Sequence, residues 1–117
     1  MNDKSSDNLG HRLRLRDRFL NGGVSALAEY EIVELVLMFA IPRKDVKPIA
    51  KKLIQKYGGL KQILNADKNE LIGIEGLGEH SVCLIKLMRD LIPLYHLQTL
   101  EKTPIELDSV DKLIEFF

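Results

Sequence analysis

The sequence predicts an all-α fold, a compact bundle of about five helices. In the second predicted helix the apolar side chains recur at i, i+3, i+4 and i+7, the spacing of one helical face: Ile32, Leu35, Val36 and Phe39. Paired glycines, Gly22 with Gly23 and Gly58 with Gly59, are typical of helix ends. The chain has 117 residues, 45% of them hydrophobic and 29% charged. That length is enough for one compact domain and the beginning of another.

The first half of the bundle follows a polar start, residues 1–8, which has almost nothing to bury and which we expect to be disordered. The first helix is predicted over residues 9–20. Ser25 is a candidate N-cap for the second helix, over residues 26–39. Glu29, Glu31 and Glu34 lie in its first half, where the positive end of the helix dipole favours them, and all three are expected on a solvated face.

Four arginines alternate along the first predicted helix and serve two faces. Arg14 and Arg18 share one face and are candidate contacts to phosphate. Arg12 and Arg16 lie between two apolar seams, where they could pair with carboxylates of a docked segment. A solvated or ion-paired role is the alternative for all four.

The third predicted helix carries one clean apolar stripe and a lysine-rich opposite side. Asp45 is expected to cap it, and Pro48 is tolerated in its first turn. Arg43, Lys44 and Lys47 crowd the helix start and form a second candidate patch for phosphate, with simple solvation as the alternative. After the glycine stop, residues 60–64 are expected to form a short helical turn.

The next segment contains the pattern on which the functional prediction depends. Asp67 and Glu70 form a capping-box pattern that opens a short helix ending before Gly73. In the following turn, Gly76 and Gly78 permit positive φ and close backbone approach. Leu77 between them is expected to point back between the two flanking helices.

This Gly-apolar-Gly turn before a long helix is the pattern of a helix-hairpin-helix. Gly78 leaves the backbone N–H groups at the start of the following helix unobstructed, and such an end attracts phosphate. His80 is placed to meet a phosphate there, although it is also an ordinary exposed first-turn residue. Glu75 and Glu79 flank the turn and would repel phosphate, so the hairpin could instead serve packing or protein contact.

The long helix after the turn begins at about residue 79 and is apolar around most of its circumference, which predicts a place at the centre of the bundle. Cys83 is interpreted as a small buried hydrophobe, and Pro93 is expected to bend the last turn. The resulting domain organisation is a helical domain over residues 9–98 and a polar linker over residues 99–104. Residues 105–117 read as a strand, 105–107, and a final helix, 110–117, of a truncated C-terminal extension.

Charge and composition set further limits. The net charge is zero, but residues 1–61 hold 12 basic and 7 acidic side chains, whereas residues 62–117 hold 5 and 10. This split predicts either a basic face for nucleic acid or two oppositely charged halves that pack together. The single cysteine, the lack of a long apolar run and the polar start favour a cytoplasmic protein with no membrane contact.

No constellation of catalytic residues or metal ligands is visible. His11, His80 and His96 are far apart in the sequence, and there are no paired cysteines and no phosphate-binding loop of the P-loop type. We therefore expect this chain to be no enzyme in its own right and to bind no metal and no cofactor.

Several motifs in order resemble the N-terminal region of RadC-like proteins over about residues 10–98. They are residues 11–20 (HRLRLRDRFL), 31–37 (EIVELVL), 44–46 (KDV) before Ala50 and Leu53, 57–60 (YGGL) and 74–78 (IEGLG). The resemblance implies a DNA-repair-associated family in which a helix-hairpin-helix region precedes a metal-dependent hydrolase domain of the JAB/MPN type. It also implies that residues 105–117 begin that second domain, whose zinc motif, a His-x-His followed by an aspartate, is absent here.

Two functions follow from these patterns. The first is a nucleic-acid-binding module, non-specific for sequence, that grips DNA backbone at Gly76, Leu77, Gly78 and His80 with Arg14, Arg18, Lys44 and Lys47 around it. The second is a docking module that positions the missing C-terminal domain or another protein, through the Arg12 and Arg16 seam or the apolar C-terminal helix.

Overall fold

The computed structural model describes residues 3–100, and the side chains among them from residue 8 onward. Every regular element in this part of the chain is helical, so the predicted all-α bundle is confirmed, with six α-helices where about five were expected. The elements are α1 (Asp3–Gly22), a 3-10 turn (Val24–Ala26), α2 (Glu29–Ala40), α3 (Lys47–Tyr57), α4 (Leu60–Leu64), α5 (Lys68–Ile72) and α6 (Glu79–Leu100).

The hydrophobic core lies between α2, α3 and the helices that follow α3. The predicted apolar stripe of α3 is confirmed, because Ile49, Ala50 and Leu53 are all buried. Burying one such aliphatic side chain contributes about 1.5–3 kcal/mol. The rest of the core comes from α2, from α4 to α6 and from the segments that connect the helices after α2: Val33, Leu37, Val46, Ile63, Ala66, Leu71, Ile74, Leu77, Val82 and Ile85.

The first helix differs from its prediction at its start. It begins at Asp3, not at residue 9, and so includes residues 3–8, for which the sequence predicted disorder. A helix that is already formed over its second half extends at little cost, since each added residue gains a hydrogen bond. Asn8 also donates from Nδ2 to the carbonyl oxygen of Arg43 at 3.2 Å. The predicted stop is confirmed: Gly23 has φ +70° and donates its N–H to Phe19 O at 2.7 Å.

The start of α2 is a correction, because Ser25 does not cap this helix. Ser25 lies in the 3-10 turn and donates from Oγ to Gly22 O at 3.2 Å. The helix begins four residues later, at Glu29, where a carboxylate oxygen of Glu31 accepts the Ala28 N–H at 2.9 Å. The sequence predicted that Ser25 would accept a free backbone N–H at the start of α2. Glu31, in the first turn of the helix, accepts one instead.

The face that α2 presents to the core is also a correction. The predicted core-facing series ends at Phe39, but Phe39 is 73% exposed, whereas Val33 and Leu37 are 3% and 0% exposed. Since α2 is apolar on two sides, periodicity identified a real stripe but not the one that α3 covers.

Asp45 and Asp67 illustrate a smaller difference in helix capping. Asp45 accepts the N–H two residues on at 3.1 Å, but the residue at the cap of α3 is Val46, one position later than predicted. Asp67 caps α5 as predicted and accepts from Asn69 N at 3.1 Å. Of the predicted capping box, only the Asp67 side is seen among the described hydrogen bonds.

The sixth helix is not at the centre of the bundle, contrary to the prediction. It buries Val82 and Ile85 in the core, but Leu87, Leu91 and Tyr95 are 53%, 48% and 68% exposed. Helices α2, α4 and α5 contact α6, but they leave these three side chains about half exposed or more. The side of α6 that carries them is therefore largely uncovered by the described helices.

Three further predictions fall on α6 and the chain after it. Cys83 is exposed, so the interpretation as a buried hydrophobe is wrong. The helix continues through Pro93 to Leu100, so the predicted linker, residues 99–104, begins inside it. Residues 101–104 and the predicted strand and helix over 105–107 and 110–117 lie outside the described residues. None of the described helices is long and apolar enough to cross a membrane.

Candidate nucleic-acid interface

The hairpin turn, residues 73–78, joins α5 to α6 and is held from inside by Leu77. Leu77 is only 5% exposed and belongs to the core, as the sequence predicted, and its N–H donates to Ile74 O at 3.0 Å. Gly76 has φ +94°, which a side chain would strain. A Cβ there would also lie 2.7 Å from Ile49 Cδ1. The fold itself therefore requires glycine at position 76.

Gly78 differs, because nothing in the fold requires it. Its φ is not positive, and a Cβ built on it would meet no atom within 4 Å. Its carbonyl accepts the first α6 bond, from Val82 N at 3.1 Å. The N–H groups of the first turn of α6 have no intrahelical acceptor. Of the first three residues of α6, Glu79 and His80 are exposed and Ser81 is buried. The missing side chain at Gly78 thus leaves the helix start open to a ligand.

The charge around the hairpin turn is mixed. Glu75 and Glu79 are exposed, as the repulsion argument assumed. Lys52 is one basic side chain near the turn that the sequence did not single out. It is exposed and lies one helical turn after Ile49 on α3, and Ile49 touches the turn. No sequence signal marked it, because the contact between Ile49 and Gly76 is visible only in the fold.

The predicted lysine patch does not gather at the hairpin turn. Lys47 Nζ lies 6.0 Å from the ring centroid of Tyr30 and Lys51 Nζ lies 5.2 Å from it, so both side chains turn toward α2. Lys44 is exposed in the loop between α2 and α3.

The two arginines proposed for phosphate contact have different surroundings. Arg18 donates to both carboxylate oxygens of Glu31, at 2.7 and 3.1 Å, and to Ala26 O at 3.1 Å. This bond raises the pKa of Arg18 and lowers that of Glu31. A phosphate would have to displace Glu31 to reach Arg18. Arg14 is exposed beside Asp17 in a shallow open cleft on α1.

Arg12 is the residue whose role sequence reasoning missed most clearly. It donates to the carbonyl oxygens of Met38 at 2.9 Å and Ile41 at 2.6 Å, and also to that of Lys44. These carbonyls belong to the end of α2 and the loop after it, where helix acceptors lack partners. Burial lowers the pKa of Arg12. The expected pairing of Arg12 with carboxylates of a docked segment is therefore replaced by a clamp on the backbone, and Arg16 alone stays exposed.

A second missed contact joins α1 to α2. His11 Nε2 lies 2.6 Å from Glu34 Oε2, and Glu34 is fully buried, so the prediction that it lies on a solvated face is wrong. Its other oxygen, Oε1, is buried without a partner in the described part of the chain. A glutamate between Val33 and Leu35, in the middle of an apolar helix, was the available signal. Within the described residues, no group of three or more histidine, cysteine, aspartate or glutamate side chains is placed to hold a metal ion.

Comparison with known proteins places the described region in a family. The profile of the family described as UPF0758 N-terminal matches residues 7–83. A UPF0758 protein of Fusobacterium nucleatum is 39% identical over 116 residues, which cover 94% of this chain and 50% of that protein. UPF0758 proteins of Ruegeria pomeroyi and Rhodobacter capsulatus are 44% and 42% identical over 78 and 74 residues, which cover 67% and 63% of this chain.

The chain thus spans about half the length of the first relative and 35% of each of the other two. No solved structure matches the chain.

Proposed function

The chain belongs to the UPF0758 family, the RadC-like family that its motifs resemble, and we propose that its helical region binds nucleic-acid backbone without reading base sequence. In this proposal the hairpin turn and the two helices around it act as a helix-hairpin-helix. The association with DNA repair, implied by the resemblance, is part of the same proposal.

The observation that supports it is the contrast between the two glycines of the turn. Gly76 is explained by its positive φ and by its contact with Ile49, so it needs no ligand. Gly78 has neither constraint, and its surroundings are open. Close approach of another backbone is a physical reason for a glycine at such a position. A phosphate oxygen would accept from the N–H groups of Glu79 and His80, at the positive end of the α6 dipole.

Basic side chains would add the salt-dependent part of the affinity. Lys52, beside the turn, would contact the phosphate next to the one held at α6. Arg14, Lys44 and Lys47 remain proposed flanking contacts, each exposed or partly exposed in the structure. Arg18 would take part only by exchanging Glu31 for phosphate.

The two carboxylates near the turn oppose this binding. Glu79 lies in the first turn of α6 and satisfies the same dipole, an interaction of about 0.3–1 kcal/mol at an exposed helix end. Neutralising it would remove both the competition and the repulsion. Glu79→Gln should therefore tighten binding, an effect that a binding surface elsewhere on the molecule would not show.

The test is fluorescence anisotropy of labelled single-stranded, duplex and branched DNA across a salt series. We expect binding that weakens as salt rises. Gly78→Val should abolish it, because the new side chain covers the helix start. Lys52→Gln should weaken binding several-fold and reduce the salt slope by about one. Lys51→Gln is the matched control, since that exposed lysine lies over Tyr30 and is not among the proposed contacts, and should have the smaller effect.

Circular dichroism of each variant must show an unchanged helix content for the comparison to count. Absence of binding to every DNA at low salt would contradict the proposal. Binding that survives Gly78→Val in a folded protein would place the contact elsewhere than at the hairpin turn.

A second candidate function is docking, in which this region positions the remaining part of the longer family protein or another protein. The uncovered apolar side of α6 favours it, because Leu87, Leu91 and Tyr95 are about half exposed or more. If the anisotropy test fails, docking becomes the working function.

A further inference from the structure

An apolar groove crosses the side of the bundle that is formed by α1, α2 and α6. Its floor is the side of α2 that α3 leaves uncovered, with Ile32, Leu35 and Phe39. One wall is Phe19 of α1, and the other is Leu84 and Met88 of α6. The groove has a volume of about 320 Å³ and is open to solvent, with almost no polar surface in its lining.

The groove continues as an apolar stripe along α6. Leu84, Met88, Leu91 and Tyr95 follow one another at spacings of three or four residues, so they share one helix face. Leu91 and Tyr95 are 48% and 68% exposed. A contiguous exposed apolar surface of this kind marks an interaction site. The stripe leads from the groove toward Leu100, the last residue of α6 that the structure describes.

One edge of the groove is basic. Arg16 lies one turn before Phe19 on α1 and is exposed. Within the part of the chain that the structure describes, it takes part in no hydrogen bond or ion pair shown. An occupant with an apolar face and a neighbouring carboxylate would fit both the groove and this cation.

We propose that residues 110–117 of this same chain occupy the groove as an amphipathic helix. Their apolar side chains are spaced for a helix that docks in a groove, at i, i+3, i+4 and i+7: Val110, Leu113, Ile114 and Phe117. Asp111 and Glu115 are four residues apart, on the edge next to this face, where they can meet Arg16. Residues 105–117 hold four acidic side chains and one basic side chain, which complements the net positive first half of the chain.

The connection is long enough. Met88 lies 12 residues before Leu100, a distance of about 18 Å along α6. The nine residues 101–109 span up to about 30 Å when extended. The segment can therefore turn back along the apolar stripe and reach the groove without any change in α6.

The inference makes the docking function specific: residues 110–117 are the docked segment and the groove is its site. It does not depend on nucleic-acid binding at the hairpin turn. The two sites share α6 but use different parts of it, since the groove takes Leu84 and Met88 and contains neither the hairpin turn nor α3. Loss of one function would leave the other testable.

The test is disulfide cross-linking in the full 117-residue chain with Cys83→Ser, which removes the exposed native thiol. Phe39→Cys combined with Ile114→Cys should cross-link rapidly within one molecule on mild oxidation, as a shift in non-reducing gel mobility. The matched control pairs Ile114→Cys with Gln55→Cys, an exposed position on α3. We expect the groove pair to react at least about ten times faster than the control.

Two variants separate docking from chance encounter. Arg16→Glu should slow the groove cross-link, and Leu113→Asp should reduce its rate to that of the control. Hydrogen exchange should show slowed amides over residues 110–117 in the unmodified chain, and Phe39→Asp should remove that protection.

Equal rates for the groove and control pairs, together with unprotected amides, would overturn the inference. A product of twice the mass would also overturn it and would make a second copy the occupant. In either case, unchanged DNA binding by the same protein would show that the nucleic-acid proposal had not failed with it.

Discussion

The hairpin turn and the apolar groove treat their apolar side chains in opposite ways. At the turn, Leu77 is 5% exposed, and the surface around it consists of backbone and charged side chains. At the groove, Phe39 is 73% exposed and the surface is almost wholly apolar. The apolar side chain of the turn is already buried in the core, whereas the apolar side chains of the groove still face solvent.

This difference indicates which class of ligand each surface suits. An open helix start with no apolar surface offers hydrogen bonds and a partial positive charge, which favour an anion. Covering an exposed apolar face gains about 25 cal/mol of free energy per Å² removed from water, which favours another protein segment as the ligand. If both proposals hold, the two surfaces should differ in how strongly salt weakens their binding.

The largest expected effect on the free energy of unfolding distinguishes substitutions on the two faces of α2. Leu37→Ala removes a fully buried side chain and should lower the free energy of unfolding by about 2–5 kcal/mol. Phe39→Ala, two residues on, should cost clearly less, because the described helices leave Phe39 73% exposed and only a segment in the groove could bury it. Urea denaturation of both variants measures the contrast. Equal losses would mean that the groove face is covered in the protein in solution.

The next effect distinguishes the two glycines of the hairpin turn. Gly76→Ala should cost about 2–4 kcal/mol, because an alanine is strained at φ +94° and its Cβ overlaps Ile49. Gly78→Ala should cost no more than about 1 kcal/mol, since the space is empty and alanine is only a poorer helix cap. Thermal unfolding compares them. A large loss at position 78 would remove the argument that its glycine serves a ligand.

The smallest effect concerns the ion pair that ties α1 to the start of α2, next to the groove. The bond from Arg18 lowers the pKa of Glu31 below its ordinary value. Its stabilising contribution is therefore present above about pH 4.5 and is lost as the pH falls through the lowered pKa. Unfolding midpoints of the unmodified protein and Glu31→Gln should differ slightly near pH 7 and converge as the pH falls through the lowered pKa of Glu31. Arg18 is half exposed, so high salt should also shrink the difference.

Much of the local structure could be predicted because local rules determine it. The glycine stop after α3 and the Asp67 cap depend on neighbours in the sequence, and both were predicted correctly. The Ser25 cap failed because two residues in the same stretch could satisfy the helix start, and Glu31 did so. The site residues remain proposals, although the structure separates Lys47, near Tyr30, from Lys52, near the turn.

The sequence by itself determined the helices, most of their ends and the family, because helical periodicity and capping act over a few residues. Only the tertiary structure decided which apolar stripe of α2 is core, that α6 lies at the edge, and that Arg12 clamps carbonyls. These outcomes depend on which helices pack together. A stripe of leucines shows that a helix face favours burial, but it does not identify the helix that covers that face. An arginine likewise brings a charge, but the fold decides which acceptors lie within its reach.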